Sequence, residues 1–546
     1  MIKFTLSYFS EVNFIFLHTK QLYKMKKIFI LLSFILASGI AFSQTLGTSK
    51  DFSLGSPFNE PDGRNDIVKI SATDIVTLAK AKGNISGKSD FVLERYDQNL
   101  NLIWKTLLQV ESYEDYKELY FNGKEVVILS VIHNEKEKKT KLEGYGFDIA
   151  SGTKTWTKEL ETYNVGDWDN HSHKGKVKES FTDLICEHVN SSFVTPIEYK
   201  HNINFSPNGE KFVSYVYNYG EKSLTASVCI YDKACNLIVK GKVSIDDNYV
   251  NHGIHINNDG KIFIVNANYS GTLNVIKYDL ISKEFDVLEL PGSNFMKDDF
   301  QVCFYSDDEV YVACTEQLNG TMMGVMYTEF DFKTKTVVKS IFESINGPTG
   351  SSIIAARKTN KLMKGEEDWK NYDITNFIVE KNEDVTIILE KRLLYADGYP
   401  HIERGVFDAS HKVEINGHVQ AEGIIIFNFG KGGVLDWVQY IPKNQVYSAS
   451  DGLNTISFAL DKSGKSSYKI MYACSENLDS FINSITLIAF DKISGKKVFD
   501  SKIPNNDKVL FVREYTTWDN DEGTFIIVGK KGLLGKSSSI SKYKFQ

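Results

Sequence analysis

Residues 142–160 read LEGYGFDIASGTKTWTKEL: an apolar run ending in Phe147-Asp148, a tight polar turn through Ser151-Gly152, and a second run that alternates in polarity. Alternation at period two is the mark of a strand with two unlike faces, so the phrase reads as a β-hairpin. The Asp side chain can accept backbone N–H groups two residues on, and Gly later in the turn accepts positive φ. The phrase recurs as FVLERYDQNLNLIWKTLL around Asp97, SVCIYDKACNLIVKGKV around Asp232, NVIKYDLISKEFDVLEL around Asp279, YTEFDFKTKTVVKSIF around Asp331 and TLIAFDKISGKKVFDSKI around Asp491. A further copy, IIIFNFGKGGVLDWVQYI, carries Gly430 in place of the Asp.

A second hairpin precedes many copies, turning at SPNGEKF (206–212), NNDGKIF (257–263), SDDEVYV (306–312), KNEDVTI (381–387) and DKSGKSSY (461–468). Each unit is therefore four strands. Four-stranded antiparallel sheets in series must bury both faces against neighbours, and a closed ring does this. The fold class is all-β, a β-propeller of eight four-stranded blades, or seven if one unit is miscounted. The last unit has strands near Val509–Glu514, Thr524–Lys530 and Ser538–Phe545 and lacks a fourth. Residues Thr45–Leu54 are placed to supply it, which would remove an exposed edge.

The hairpin DIASGTKTWTKEL (148–160) resembles the repeat of the quinoprotein-like (PQQ-type) eight-bladed propellers, and the turns FSPNGEKF (205–212) and INNDGKIF (256–263) resemble the WD40-like repeats of TolB-type periplasmic propellers. The resemblance spans most of residues 66–546 as architecture and implies a fold. A quinone-dependent dehydrogenase, the activity that the first resemblance brings with it, is the least favoured function: no adjacent cysteine pair is present and no cofactor residues carry over.

Met25-Lys26-Lys27, the apolar run Ile28–Ala37 and Ala41-Phe42-Ser43 before Gln44 form the three regions of a secretory signal peptide. The run Ile28–Phe42 is shorter than the roughly 18–20 residues a spanning helix needs. The expected organisation is an upstream extension of the gene model (1–24), a cleaved signal peptide (25–43) and one propeller domain (44–546), soluble, without a transmembrane anchor, and periplasmic or extracellular. The chain has 63 Lys+Arg and 70 Asp+Glu, a net charge of −7. Cleavage after Ser43 removes five bases and Glu11, leaving 58 against 69, or −11. An acidic chain without a basic block is not built to neutralise phosphates, so nucleic acid is an unsuitable partner. Six cysteines lie scattered without framework spacing, and Cys229, Cys303 and Cys314 fall in apolar strand-like runs, so no essential disulfide is expected.

Strand parity places the A-to-B and C-to-D turns of every blade on one face and the B-to-C and D-to-A connections on the other. Three long insertions, 161–200, 343–372 and 392–419, all emerge on the second face, where loops of this length are usually functional or disordered. The first contains Asp167, Asp169, His171 and His173; two His at i and i+2 point the same way and, with the carboxylates, could hold a divalent metal, the alternative being a solvated polar loop. Apart from that metal no cofactor is expected. The second contains Trp369 and Tyr372, which are either stacking platforms or a plug folded onto the rim. The third contains Tyr395, Asp397, Tyr399, His401 and Arg404, a mixture suited to a sugar or peptide. Gly532–Ser537 only imitates a phosphate loop, since Lys530 stands where its first Gly should be. His252 and His255, three apart on one expected strand, should face opposite sides. No catalytic constellation is evident, so the reading is an exported binding protein that takes a protein, peptide or glycan on its loop-rich face. The alternative is a carbohydrate-active hydrolase or lyase with its site there.

Overall fold

The protein is an all-β propeller in which eight four-stranded antiparallel sheets follow one another along the chain. The computed structural model describes residues 45–52, 66–71, 74–81, 88–111, 114–134, 139–164, 201–219, 224–246, 249–268, 270–293, 295–358, 367–396, 417–448, 458–461, 464, 466–474, 484–504, 510–519, 524–531 and 537–544. Blades one to seven occupy 66–111, 114–164, 202–245, 250–290, 296–344, 372–448 and 458–504, each with its strands in sequence order from the axis outward. Blade eight takes three strands from 510–544, and its outermost strand is Thr45–Phe52, paired antiparallel with Ser537–Lys544 from Thr45↔Lys544 to Phe52↔Ser538. The early segment thus completes the last sheet, as its sequence position suggested. The inner strands Leu510–Asp519 and Asp66–Lys69 adjoin and close the ring.

The apolar core lies between the blades. In blade two, Val126 and Ile128 join a cluster with Phe91 and Leu93 of blade one, while Val127, Leu129 and Val131 join one with Phe212 and Tyr231 of blade three. Blade four divides likewise, with Ile262 and Ile264 on one side and Phe263 and Val265 on the other. A strand buried on both faces reads as continuously apolar. Alternation in the sequence is consequently clearest on the outer strands, such as Leu237–Ile245, where Lys240 and Lys242 point outward and discourage edge pairing.

The recurrent Asp fastens each outer turn. Asp97 accepts the N–H groups of Asn99 and Asn101 at 2.8 Å, and Asp232 those of Ala234 and Asn236 at 2.9 and 2.8 Å. Where Gly430 replaces it, the Asp436 carboxylate fills the space, 2.8 Å from where a Cβ would stand. Hydrogen bonds from Ser151, Thr334 and Ser494 hold Asp148, Asp331 and Asp491 below the ordinary carboxylate range, and Lys261 holds Asp279 at about 2. A carboxyl depressed in the folded state stabilises fully above its unfolded pKa of about 3.9, and that contribution disappears as pH falls through the folded value. The thermal midpoint should therefore drop as pH is taken from about 4 to 2. Replacing these four Asp with Asn should flatten that segment of the profile.

Adjacent blades are also joined at the outer turns. Trp104 of blade one donates from Nε1 to Ile149 O at 2.9 Å and lies over Gly152 (φ 71°) of blade two; Trp437 of blade six donates to Lys492 O at 3.0 Å and lies over Gly495 (φ 62°) of blade seven. A Cβ on Gly152 or Gly495 would stand 2.6 or 2.4 Å from the indole. The A-to-B turns are chained as well: Asn208 N donates to Asn258 Oδ1 (3.0 Å), Asn258 N to Asp307 Oδ1 (2.9 Å) and the Tyr305 hydroxyl to Lys381 O (2.9 Å). Described turns on this face thus tie neighbouring blades together.

Cys229, Cys235 and Cys314 are buried thiols outside any disulfide. The single helix among the described residues, α1 (Pro348–Lys358), lies in the connection between blades five and six. No described helix is long and apolar enough to cross a membrane.

Candidate functional site

On the opposite face the longest described strands belong to blade six. Its second to fourth strands, Val385–Ala396, Gly417–Phe429 and Leu435–Ser448, have 12, 13 and 14 residues, whereas among the described residues no strand of another blade exceeds 11. Pairing with the inner strand Tyr372–Val379 ends at Tyr372↔Lys391, with Arg392 N donating to Asn371 O at 2.9 Å. Beyond that point the hairpin continues through Leu393↔Gln420 to Ala396↔Gly417, and Gln420↔Val446 to His418↔Ser448 add the third strand. The result is a three-stranded arm reaching past the inner strand on the insertion-bearing face.

Two buried ion networks cross the base of this arm. Its second strand reads VTIILEKRLLYA, and the three consecutive charges Glu390-Lys391-Arg392 are all buried. Glu390 and Lys443 are both fully buried and in direct contact, and Arg392 Nε and Nη2 each lie 2.7 Å from Glu390 Oε2. Burial pushes the Glu390 carboxyl up, but Lys443 and Arg392 outweigh it and hold it at about 2. On the other side of the strand Lys391 Nζ reaches Glu367 Oε1 and Asp368 Oδ1, each at 2.7 Å, and Glu367 Oε2 is 3.1 Å from Arg357 Nε at the end of α1. Arg357 Nη2 is 3.9 Å from Glu422 Oε2 on the third strand. An isolated buried charge is costly, so paired networks of this kind fix their segments in one arrangement. Here the Lys391 network fastens α1 and the 367–371 turn to the base of the arm, and the Glu390 network ties the second strand of blade six to the fourth.

A second buried cluster stands where the first insertion rejoins the ring. His201 Nδ1 is 3.9 Å from Glu161 Oε1, with both side chains at most 1% exposed. The Tyr163 hydroxyl donates to Glu161 and lies 3.7 Å from Cys229 Sγ. Burial raises the Glu161 carboxyl and pushes the Cys229 thiol up to about 12. A thiol so protonated and enclosed is a poor nucleophile at neutral pH. The cluster is suited to anchoring the ends of Lys154–Asn164 and Asn202–Phe205.

Of the residues singled out by sequence, Tyr372 is 2% exposed and packs in the apolar cluster between blades five and six. Its ring is enclosed by protein side chains. Trp369, half-buried, packs against the same cluster with its ring 6.0 Å from that of Tyr372, and its carbonyl accepts Met322 N at 2.9 Å. Tyr395 lies on the second strand of blade six opposite His418, because that strand runs five residues into the expected insertion, to Ala396. Asp397, Tyr399, His401 and Arg404 lie outside the described residues, as do Asp167, Asp169, His171 and His173. Among the described residues no group of three or more His, Cys, Asp or Glu is placed to hold a metal. His252 and His255 are separated by a bulge at Gly253 (φ 127°), which breaks the simple parity expected of them; His252 packs on Phe300 of blade five, ring centroids 4.0 Å apart.

The network residues Arg357, Glu367, Glu390, Lys443 and Glu422 were not singled out by sequence. Three charges in the middle of an apolar strand were the available signal. Their partners lie on four other segments, which spacing does not connect.

No protein-family model matches the chain, and no curated protein matches it in sequence. Solved structures similar to it include the WD40 domain of SCAP from fission yeast (9% identity, 90% of this chain and 98% of that one, TM-score 0.37). Another is Sqt1 of Chaetomium thermophilum bound to the N-terminus of the ribosomal protein L10 (9%, 91% and 100%, TM-score 0.36). A third is prolyl oligopeptidase B from Galerina marginata (11%, 86% and 56%, TM-score 0.36).

Proposed function

We propose that the chain is an exported binding protein that presents the insertion-bearing face of its propeller, centred on the blade-six arm, to a protein or peptide. The supporting observation is the unequal use of the two faces. One is chained blade to blade through short turns, while the other carries the long connections and an arm clamped by two buried ion networks. Fixing a surface beforehand lowers the ordering cost of binding, which is the physical advantage of such clamping. Export rests on the Met25–Ser43 pattern, and mature residues 44–546 are the material to test.

The test uses a variant in which residues 397–416 are replaced by a two-residue Asn-Gly turn joining Ala396 to Gly417, a connection antiparallel strands accept. Wild type and variant are probed on a tiled peptide array and a glycan array. The expected result is a peptide signal that falls at least tenfold in the variant at unchanged melting temperature. Signal confined to glycans, or peptide binding untouched by the replacement, overturns the proposal.

A further inference from the structure

The Arg357 network contains two cations and three carboxylates, and the carboxylates are not equally served. Glu367 faces Arg357 at 3.1 Å and Lys391 at 2.7 Å and accepts Trp369 N at 3.1 Å. Asp368 faces Lys391 at 2.7 Å and is 53% exposed, so water shares its charge. Glu422 has Arg357 only at 3.9 Å, accepts a neutral amide from Gln420 at 2.9 Å, and is 15% exposed. From the remaining elements it is faced by Lys391 and the phenols of Tyr372 and Tyr440. It is therefore the carboxylate with the weakest compensation, set beside two others that are better paired.

We infer that seating of α1 and the 367–371 turn on blade six is coupled to proton uptake by Glu422, so that the seated arrangement strengthens as the pH falls. The coupling arises because Glu367, Asp368 and Arg357 all belong to the seated insert. Without it, Glu422 would stand beside Lys391 and water. Burial raises the seated Glu422 carboxyl, and Glu367 and Asp368 add to this against Lys391 and Arg357. A carboxyl raised in the seated state contributes its stabilisation below its unseated pKa and loses it as pH rises through the seated value. Besides the network, the helix is held by Ile353 and the partly buried Ala356 in the apolar cluster and by Thr349, whose hydroxyl donates to Glu343 at 2.6 Å. The inference concerns the insert itself and does not depend on what the face binds.

The experiment is hydrogen exchange of the α1 amides between pH 5 and 8, expressed as protection factors so that intrinsic exchange is removed, with the blade-four strands as internal reference. One coupled proton allows a change of up to about tenfold per pH unit. Protection of α1 should fall with rising pH while blade four stays level. The Glu422→Gln variant should show level protection, at or above the wild-type value at pH 5. Level wild-type protection, or a slope that survives in Glu422→Gln, overturns the inference. Should that variant fail to fold, Glu422→Met decides: α1 protection should be level over the same range, and a persisting pH slope refutes the coupling.

Discussion

Glu390→Ala is expected to cost about 3–5 kcal/mol, the range for removing one partner of a buried ion pair. Glu390 is the carboxylate that Lys443 and Arg392 both face from the interior of blade six, and Glu390 and Lys443 are fully buried. Without it two cations press on one another in a medium that screens them poorly. Replacing all three by apolar residues of similar volume, Glu390→Leu with Arg392→Met and Lys443→Met, should cost far less and is free to stabilise, since the desolvation penalty goes with the charges. Urea denaturation of both variants checks this. A single variant no worse than the triple one would mean that the pair is not shielded from water. The acid limb offers a second check: a carboxyl held at about 2 loses its contribution as pH falls from about 4 toward 2.

The second large effect is expected where blades six and seven meet. Trp437 is 8% exposed, covers Gly495 and donates to Lys492 O. Trp437→Ala should cost roughly 3–5 kcal/mol through the cavity it leaves. Gly495→Ala should also destabilise, because its φ is 62° and its Cβ would stand 2.4 Å from the indole. The two share one contact, so the double variant should cost less than the sum, the room left by the indole accepting the added methyl. Additive costs would show that the contact between indole and glycine is not what holds the turns together. Trp104 and Gly152 repeat the arrangement between blades one and two and supply an independent cycle.

The repeated Asp turn gave away the propeller because its chemistry is local: a carboxylate, the N–H groups two to four residues on and a residue in left-handed conformation, Gly at 152 and 495 but Leu100, Cys235, Lys283 and Lys335 in the other copies, all lie within one short turn. The missing strand of blade eight was equally legible, since an unpaired edge must be covered and Thr45–Phe52 was the spare strand. Helix α1 was not legible. Its stretch PTGSSIIAARK lacks an apolar stripe long enough to identify it, and it is positioned by Arg357 and Ile353 meeting blade six. Tyr372 illustrates the same limit, since an aromatic residue in a long connection reads alike as platform or plug until its neighbours are known.

The blade is legible from residue order alone: its hairpins, its turns, and the parity that sends the long connections to one face. Those properties follow from period-two alternation and from contacts within a few residues. Which charges meet is settled by packing between distant segments, because Lys391 finds Glu367 across 24 residues and Lys443 finds Glu390 across 53. Electrostatic partnership depends on distance in space and on exclusion of water. Both are set when the strands of blade six and the insert come together, and neither is written in the order of the residues.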